Sequence, residues 1–286
     1  MWDRADQDRF AELRPRFEGG VWNCDWYDDW SDLECKDDPH RCNPINSRAC
    51  DGLCGFQNTV TNGLYLVLAT RLVLNLPNTP DYFQQVKREY EFLWTWFNAS
   101  GVDPLLKVVG PGKKVVRERV SAYYSEETPY DYHEDTAWAG DQGLILGGLV
   151  DLMAFESFPW LDYNKLLDTA KSILAGSREY LVDGGVLQPW RSSTGPPGGD
   201  VWDYQTGIAI FMRHLLYAYQ NNGDLRSELQ KPEWQQFIRD NADRSLSSPV
   251  PSGEVEGEPF ADIAIITATN DLATLVAAIV MLSPGQ

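Results

Sequence analysis

The sequence predicts an all-α fold, a toroid of helical hairpins forming a single domain over residues 1–286. Three observations carry this. An apolar helical run followed by an amphipathic one recurs along the chain, prolines fall where those runs should stop, and 43% of the residues are hydrophobic, ample for a large core.

Taken in order, MWDRADQDRFAELRPRF reads as a helix remnant from about Asp6 to Phe17, without the apolar stretch of a signal peptide. Residues 19–55 follow as a long loop rich in Asp, Asn and Pro that holds all 5 cysteines: Cys24, Cys35, Cys42, Cys50 and Cys54. No pair has the spacing of a zinc knuckle and His40 is the one nearby imidazole. The cluster therefore reads as disulfides pinning the loop rather than as a metal site, with one thiol left over from the odd count. The first hairpin is GLYLVLATRLVLNL from Gly63 and PDYFQQVKREYEFLWTWF from Pro80; the second is GLILGGLVDLMAFE from Gly143 and WLDYNKLLDTAKSILAGSREYL from Trp160. The third joins GIAIFMRHLLYAY from Gly207 to KPEWQQFIRDNADRSL from Lys231 across a longer break, and a closing helix begins near Phe260.

In each hairpin the first helix is apolar on nearly every side, so it is inner. The second carries a stripe such as Tyr82, Val86, Tyr90 and Leu93 with charge between, so it is outer. Pro77, Pro80, Pro159 and Pro232 mark the breaks, and Asp81 and Asp162 stand near the starts of outer helices. Side-by-side closure of such hairpins gives the toroid; a plain helical bundle is the alternative. The pattern yields about seven or eight helices, short of the twelve in a closed ring of six hairpins. The apolar window Ile263–Leu282 has Asn270-Asp271 at its centre and reads as a buried helix rather than a membrane span. Connections 19–55, 101–137 and 182–201 are long for helix linkers, and such loops are where sites gather.

Composition narrows the function. A formal net charge of -18, from 24 Lys+Arg against 42 Asp+Glu, repels phosphate backbones and excludes nucleic acid and acidic polymers as partners. Aromatic residues make up 12% of the chain, with 11 Trp and 13 Tyr, a supply suited to sugar stacking or to a large helical core. The 3 histidines, His40, His133 and His214, are not set at metal-ligand spacing, and neither a phosphate-binding glycine loop nor a G-x-S-x-G elbow occurs. What abounds is carboxylates beside aromatics, the equipment for cleaving a glycosidic bond with one acid and one nucleophile or base. The triplet Asn98-Ala99-Ser100 is a glycosylation sequon, consistent with the oxidising setting that disulfides imply.

Four stretches sharpen this: GGVWNCDW (19–26), CGFQNTVTNGLYLVLATRL (54–72), TAWAGDQGLILGGLVDL (136–152) and YQTGIAIFMRHL (204–215). Together they resemble glycoside hydrolase family 76, the endo-alpha-1,6-mannanases of fungi and bacteria, from about residue 16 to the C-terminus. The family's Gly-Gly-Gly-Ile-Trp-Trp is met here by Gly19, Gly20, Val21 and Trp22, its Lys-Asn by Gln57-Asn58, and its Tyr-Asn-Gln-Gly by Gly140-Asp141-Gln142-Gly143. The resemblance implies an (α/α)6 barrel and hydrolysis of alpha-1,6-linked mannan. It also implies a retaining two-carboxylate mechanism without a cofactor, in an extracellular or cell-wall setting. In that family an adjacent aspartate pair opens an inner helix lying before the glycine-Trp segment. Here that segment begins within 20 residues of Met1, so the expectation is an N-terminally truncated member.

Among the residues present, Asp28 and Asp29 are the catalytic candidates, with the rim of a glycan cleft as the reading the resemblance favours. Asp37-Asp38 reads as solvated charge or weak calcium binding. Trp22, Trp26 and Trp138 are candidates for stacking on sugar, or for core packing. Asn58, Asp141 and Gln142 are substrate-binding candidates at inner-helix entrances, and Asp141 reads equally as a helix cap. The main alternative function is a glycan-binding pseudoenzyme that lacks the catalytic pair. An epimerase would need paired cleft histidines, and a uronyl hydrolase arginine clamps against this acidic field.

Overall fold

The computed structural model describes residues 56–76, 80–98, 104–121, 136–155, 158–193, 202–247 and 258–283. The helix read at 6–17, the cysteine loop, Trp22, Trp26, Asp28 and Asp29 lie outside them. In chain order the elements are β1 (Phe56–Asn58), α1 (Thr59–Asn75), α2 (Pro80–Phe97), β2 (Leu106–Gly110), β3 (Lys113–Val116), β4 (Arg119–Ser121), β5 (Ala137–Trp138), α3 (Ala139–Met153) and α4 (Tyr163–Tyr180). After them come β6 (Val182–Asp183), β7 (Val186–Leu187), β8 (Trp190–Arg191), α5 (Trp202–Gln205), α6 (Gly207–Asn221), α7 (Gly223–Leu229), α8 (Pro232–Ser247) and α9 (Glu258–Leu282).

The inner row runs α1, α3, α6, α9, each packed on the next, with α2 behind α1, α4 behind α3 and α8 against α9. Every residue of α3 is buried, which is what an apolar-all-round helix must achieve. Helix α4 buries only a stripe that includes Leu166, Ala170, Ile173 and Leu174, and Asp162 caps it by accepting from the Lys165 N–H at 3.2 Å. The repeated glycines of the inner helices are contact points. A Cβ at Gly143 would stand 2.8 Å from the Phe211 Cα on α6; at Gly147 it would strike the His214 ring, and at Gly148 the Leu66 side chain on α1. So α3 presents one glycine face to α6 and another to α1, letting three inner helices approach closely.

The predicted helical architecture holds, but the connections 101–137 and 182–201 are not plain loops. Among the described residues they form short antiparallel ladders, β4 with β1 at the entrance to α1, β2 with β3, β5 with β8, and β6 with β7. Gly112 turns the β2–β3 hairpin at φ 68°, and Gly184 and Gly185, at φ 55° and 86°, turn β6–β7. Hairpin β2–β3 lies on α4 at Gly176, where any side chain would meet the Lys114 backbone.

Two carboxyl groups are buried among the helices, and one of them ties three helices together. At the C-terminal end of α3, Asp151 accepts from Thr70 Oγ1 at 3.1 Å and Arg71 Nε at 3.3 Å on α1, and from Tyr217 Oη at 2.5 Å on α6. Burial raises the Asp151 carboxyl against the pull of these donors, and burial together with Asp151 pushes Tyr217 up to about 12. One turn before Tyr217, His214 is held down to about 4 by burial and then by Arg71 and Arg213. On α2, Glu89 is fully buried beside Val86 and Leu93 with no hydrogen-bond partner for either oxygen, and burial pushes its carboxyl well above the usual range.

Helix α9 departs from its sequence reading. It forms over the expected residues, but only 22% of Ala264–Leu282 is buried, and that stretch is long and apolar enough to cross a membrane by length and composition.

Candidate functional site

The N-terminal ends of α1 and α3 are laced together by main-chain bonds. The Thr59 N–H, opening α1, donates to the Glu118 carbonyl at 3.2 Å, and the Glu118 N–H donates to the Thr136 carbonyl at 2.9 Å just before β5 and α3. The Ala139 N–H, the first of α3, donates to the Pro189 carbonyl at 2.8 Å, and β5 pairs with β8 through Ala137–Arg191 and Trp138–Trp190. Asn270 on α9 closes the far side: its Oδ1 accepts from the Ala209 N–H at 2.9 Å and its Nδ2 donates to the Gln205 carbonyl at 2.8 Å, fixing the start of α6.

Side chains converge at this end. The Tyr204 hydroxyl of α5 donates to Glu118 Oε2, and the Tyr204 ring meets Trp138 and Trp190 edge-on, each at 6.4 Å between centroids. Glu118 is 8% exposed and Asp141, in the first turn of α3, is fully buried. The helix dipole favours a carboxylate at Asp141. Glu118 and Asp141, at the inner-helix entrances, are groups of the kind able to hydrogen-bond sugar hydroxyls and to exchange protons at a glycosidic oxygen.

The sequence-chosen residues divide. Asp141 lies in the first turn of α3, fully buried. Asn58 ends β1, paired with Arg119 beside it. Gln142 is a correction: its Oε1 accepts from the Val116 N–H at 2.7 Å, and its Nε2 donates to the Val116 carbonyl at 2.7 Å and the Trp138 carbonyl at 3.0 Å. The amide completes the edge of β3 and is not offered to a ligand. Trp138 takes the packing alternative. It is buried, its Nε1–H donates to the Tyr204 carbonyl at 2.8 Å, and its ring fills space that a side chain at Gly140 or Gly207 would claim. Part of the aromatic surplus is likewise structural. Phe83, Tyr90, Phe158 and Trp160 build an outer cluster, with Phe83 and Phe158 at 4.5 Å and Phe158 stacked on Trp160 at 5.7 Å. Glu118 and Trp190 escaped the sequence reading. The Gly110-Pro111-Gly112 turn between two Val-Val pairs marks the hairpin that delivers Glu118.

This architecture has solved counterparts. The Dfg5 structure from Chaetomium thermophilum in complex with glucosamine matches at TM-score 0.54 and 14% identity, over 81% of this chain and 53% of that one. An alpha-1,6-mannanase of Salegentibacter sp., inactivated by replacing two consecutive aspartates with alanine and bound to alpha-1,6-mannotetrose, matches at TM-score 0.53 and 16% identity, over 79% and 60%. The chain shares their six-hairpin glycosidase fold. It spans 53 to 60% of the length of these structures. No family model and no curated protein matches the chain in sequence. In six-hairpin terms, α1, α3, α6 and α9 are inner helices, and the main-chain bonds mark the ends from which α1 and α3 enter the ring.

Proposed function

We propose that this chain acts on alpha-1,6-linked mannan as a glycoside hydrolase without a cofactor, binding the glycan across the mouth formed by Glu118, Tyr204 and Asp141. The observation that carries the reading is the shared fold with a mannanase solved on alpha-1,6-mannotetrose, joined to buried carboxyl groups at the inner-helix entrances. In the proposed retaining mechanism one carboxylate attacks the anomeric carbon and forms a glycosyl-enzyme bond, while a second acid protonates the departing oxygen. Water then attacks the anomeric carbon, the former acid takes its proton, and the glycosyl-enzyme bond breaks. Asp28 and Asp29 are the catalytic candidates this chain offers, with the rim of the glycan cleft as the reading the family resemblance favours; Trp22 and Trp26 are the proposed stacking residues, and Asp141 and Glu118 the proposed ligands for sugar hydroxyls. The cysteine cluster supports a secreted or cell-wall setting.

Incubation with alpha-1,6-mannotetrose tests this. The expected outcome is release of shorter mannosides, lost in Asp28→Ala/Asp29→Ala, with weaker binding in Asp141→Asn measured by calorimetry. Binding without any product at high protein concentration would instead establish the glycan-binding pseudoenzyme, and absence of both would remove the mannan reading.

A further inference from the structure

We propose that Asn270 is a positioning residue for the mouth: its amide is wedged into the helical ladder between α5 and α6, and the bend it holds keeps the Tyr204 hydroxyl on Glu118. That Tyr204 and Glu118 meet a glycan rests on the function proposed above; the wedge itself does not.

Asn270 stands at the centre of the apolar window Ile263–Leu282, where an amide is costly unless both of its halves find partners. Both do. In an unbroken α-helix each N–H donates to the carbonyl four residues back, so Ala209 would donate to Gln205. Here Asn270 takes both groups: its Oδ1 accepts from the Ala209 N–H at 2.9 Å, and its Nδ2 donates to the Gln205 carbonyl at 2.8 Å. The side chain therefore stands in for a peptide group and holds the two ends of that link apart.

A second side chain acts in the same way one residue earlier. The Tyr204 carbonyl, whose helical partner would be the Ile208 N–H, accepts from Trp138 Nε1 at 2.8 Å. The indole fills the joint closely enough that a Cβ at Gly207 would stand 2.4 Å from that nitrogen. The ladder resumes with the Ile210 N–H donating to the Thr206 carbonyl at 3.4 Å. Side chains inserted into a helical ladder are a physical cause of sharp bends, and α5 and α6 are separate helices on either side of this one.

The bend has a consequence for the mouth. Helix α6 packs between α3 and α9, while Tyr204, on the α5 side, reaches Glu118 with its ring edge-on to Trp138 and Trp190. Asn270 thus acts on the mouth through the backbone at Gln205 and Ala209. In Asn270→Leu those two groups are free to bond each other, α5 runs on into α6, and Tyr204 swings away from Glu118.

Near-ultraviolet circular dichroism of the full chain, which reports Trp138 and Trp190 packed against Tyr204, tests the wedge without any glycan. Asn270→Leu should lose the part of that signal that Tyr204→Leu also loses, with the far-ultraviolet helical signal kept. Asn270→Asp keeps the acceptor for Ala209 but not the donor for Gln205 and should fall between; it carries the same comparison should Asn270→Leu fail to fold. Calorimetry with alpha-1,6-mannotetrose gives the second readout. Asn270→Leu should weaken binding at least tenfold, and should add nothing in a Tyr204→Phe background, because its effect runs through that hydroxyl. An unchanged near-ultraviolet signal, or effects of the two substitutions that multiply independently, would overturn the proposal and leave Asn270 a residue of stability alone. A chain that binds no mannotetrose yet meets the near-ultraviolet expectations would remove the mannan reading and uphold the wedge.

Discussion

Glu89 is a carboxyl group that folding makes harder to ionise. The folded state binds its proton more tightly than the unfolded chain does, so this group lowers stability as pH rises from the unfolded value near ~4.3 up through the raised folded value. Glu89→Gln should therefore raise the melting temperature at pH 7, with the gain shrinking as pH approaches 4. His214 acts in the other direction. It is held neutral down to about 4, so the unfolded chain gains the proton first and stability drops as pH falls from ~6.5 toward that value. Tyr217→Phe removes one donor from Asp151 and should cost about 1.5–3 kcal/mol in urea denaturation, the range for hydrogen bonds to charged groups. Gln142→Leu orphans a buried N–H and C=O of Val116 and should cost about 1–3 kcal/mol for each group, without a change in the net charge of the mouth. None of these partnerships was legible in the sequence, because each joins residues far apart in the chain: Glu118 and Tyr204 by 86 positions, Thr70 and Asp151 by 81. Asp141 was legible, because its place depends on a local feature, the start of an inner helix.

At the scale of elements the sequence was far more informative. The three hairpins, the closing helix and the order of inner and outer helices follow from periodicity, proline placement and caps, all of which act over one or two turns. The short strands were missed because two-residue ladders such as β5–β8 have no alternation to read; pairing arises from the helices that bring them together. The inner-helix glycines offer a direct check. Gly143→Ala would force a methyl against the Phe211 backbone, which has no flexible end to move aside, and should destabilise by about 1–3 kcal/mol as overpacking does. Gly223→Ala, which meets nothing, is the matched control. Helix α9 shows the limit of periodic reading. An apolar helix in sequence looks the same whether its second face is buried or exposed.

For the whole molecule, the charge of -18 is a global term that no single contact offsets. Adding salt should raise the melting temperature by screening self-repulsion, most steeply at low ionic strength. The main-chain belt at the entrances of α1 and α3 bears on a different matter, how such a fold ages. Its links, Thr59 to Glu118, Glu118 to Thr136 and Ala139 to Pro189, are made by peptide groups that every residue type supplies, proline's missing N–H aside. Substitution after substitution can pass through the side chains of the mouth while the frame that aims them stays the same. A frame of this kind asks little of side-chain identity, in keeping with an architecture matched at 14 to 16% identity.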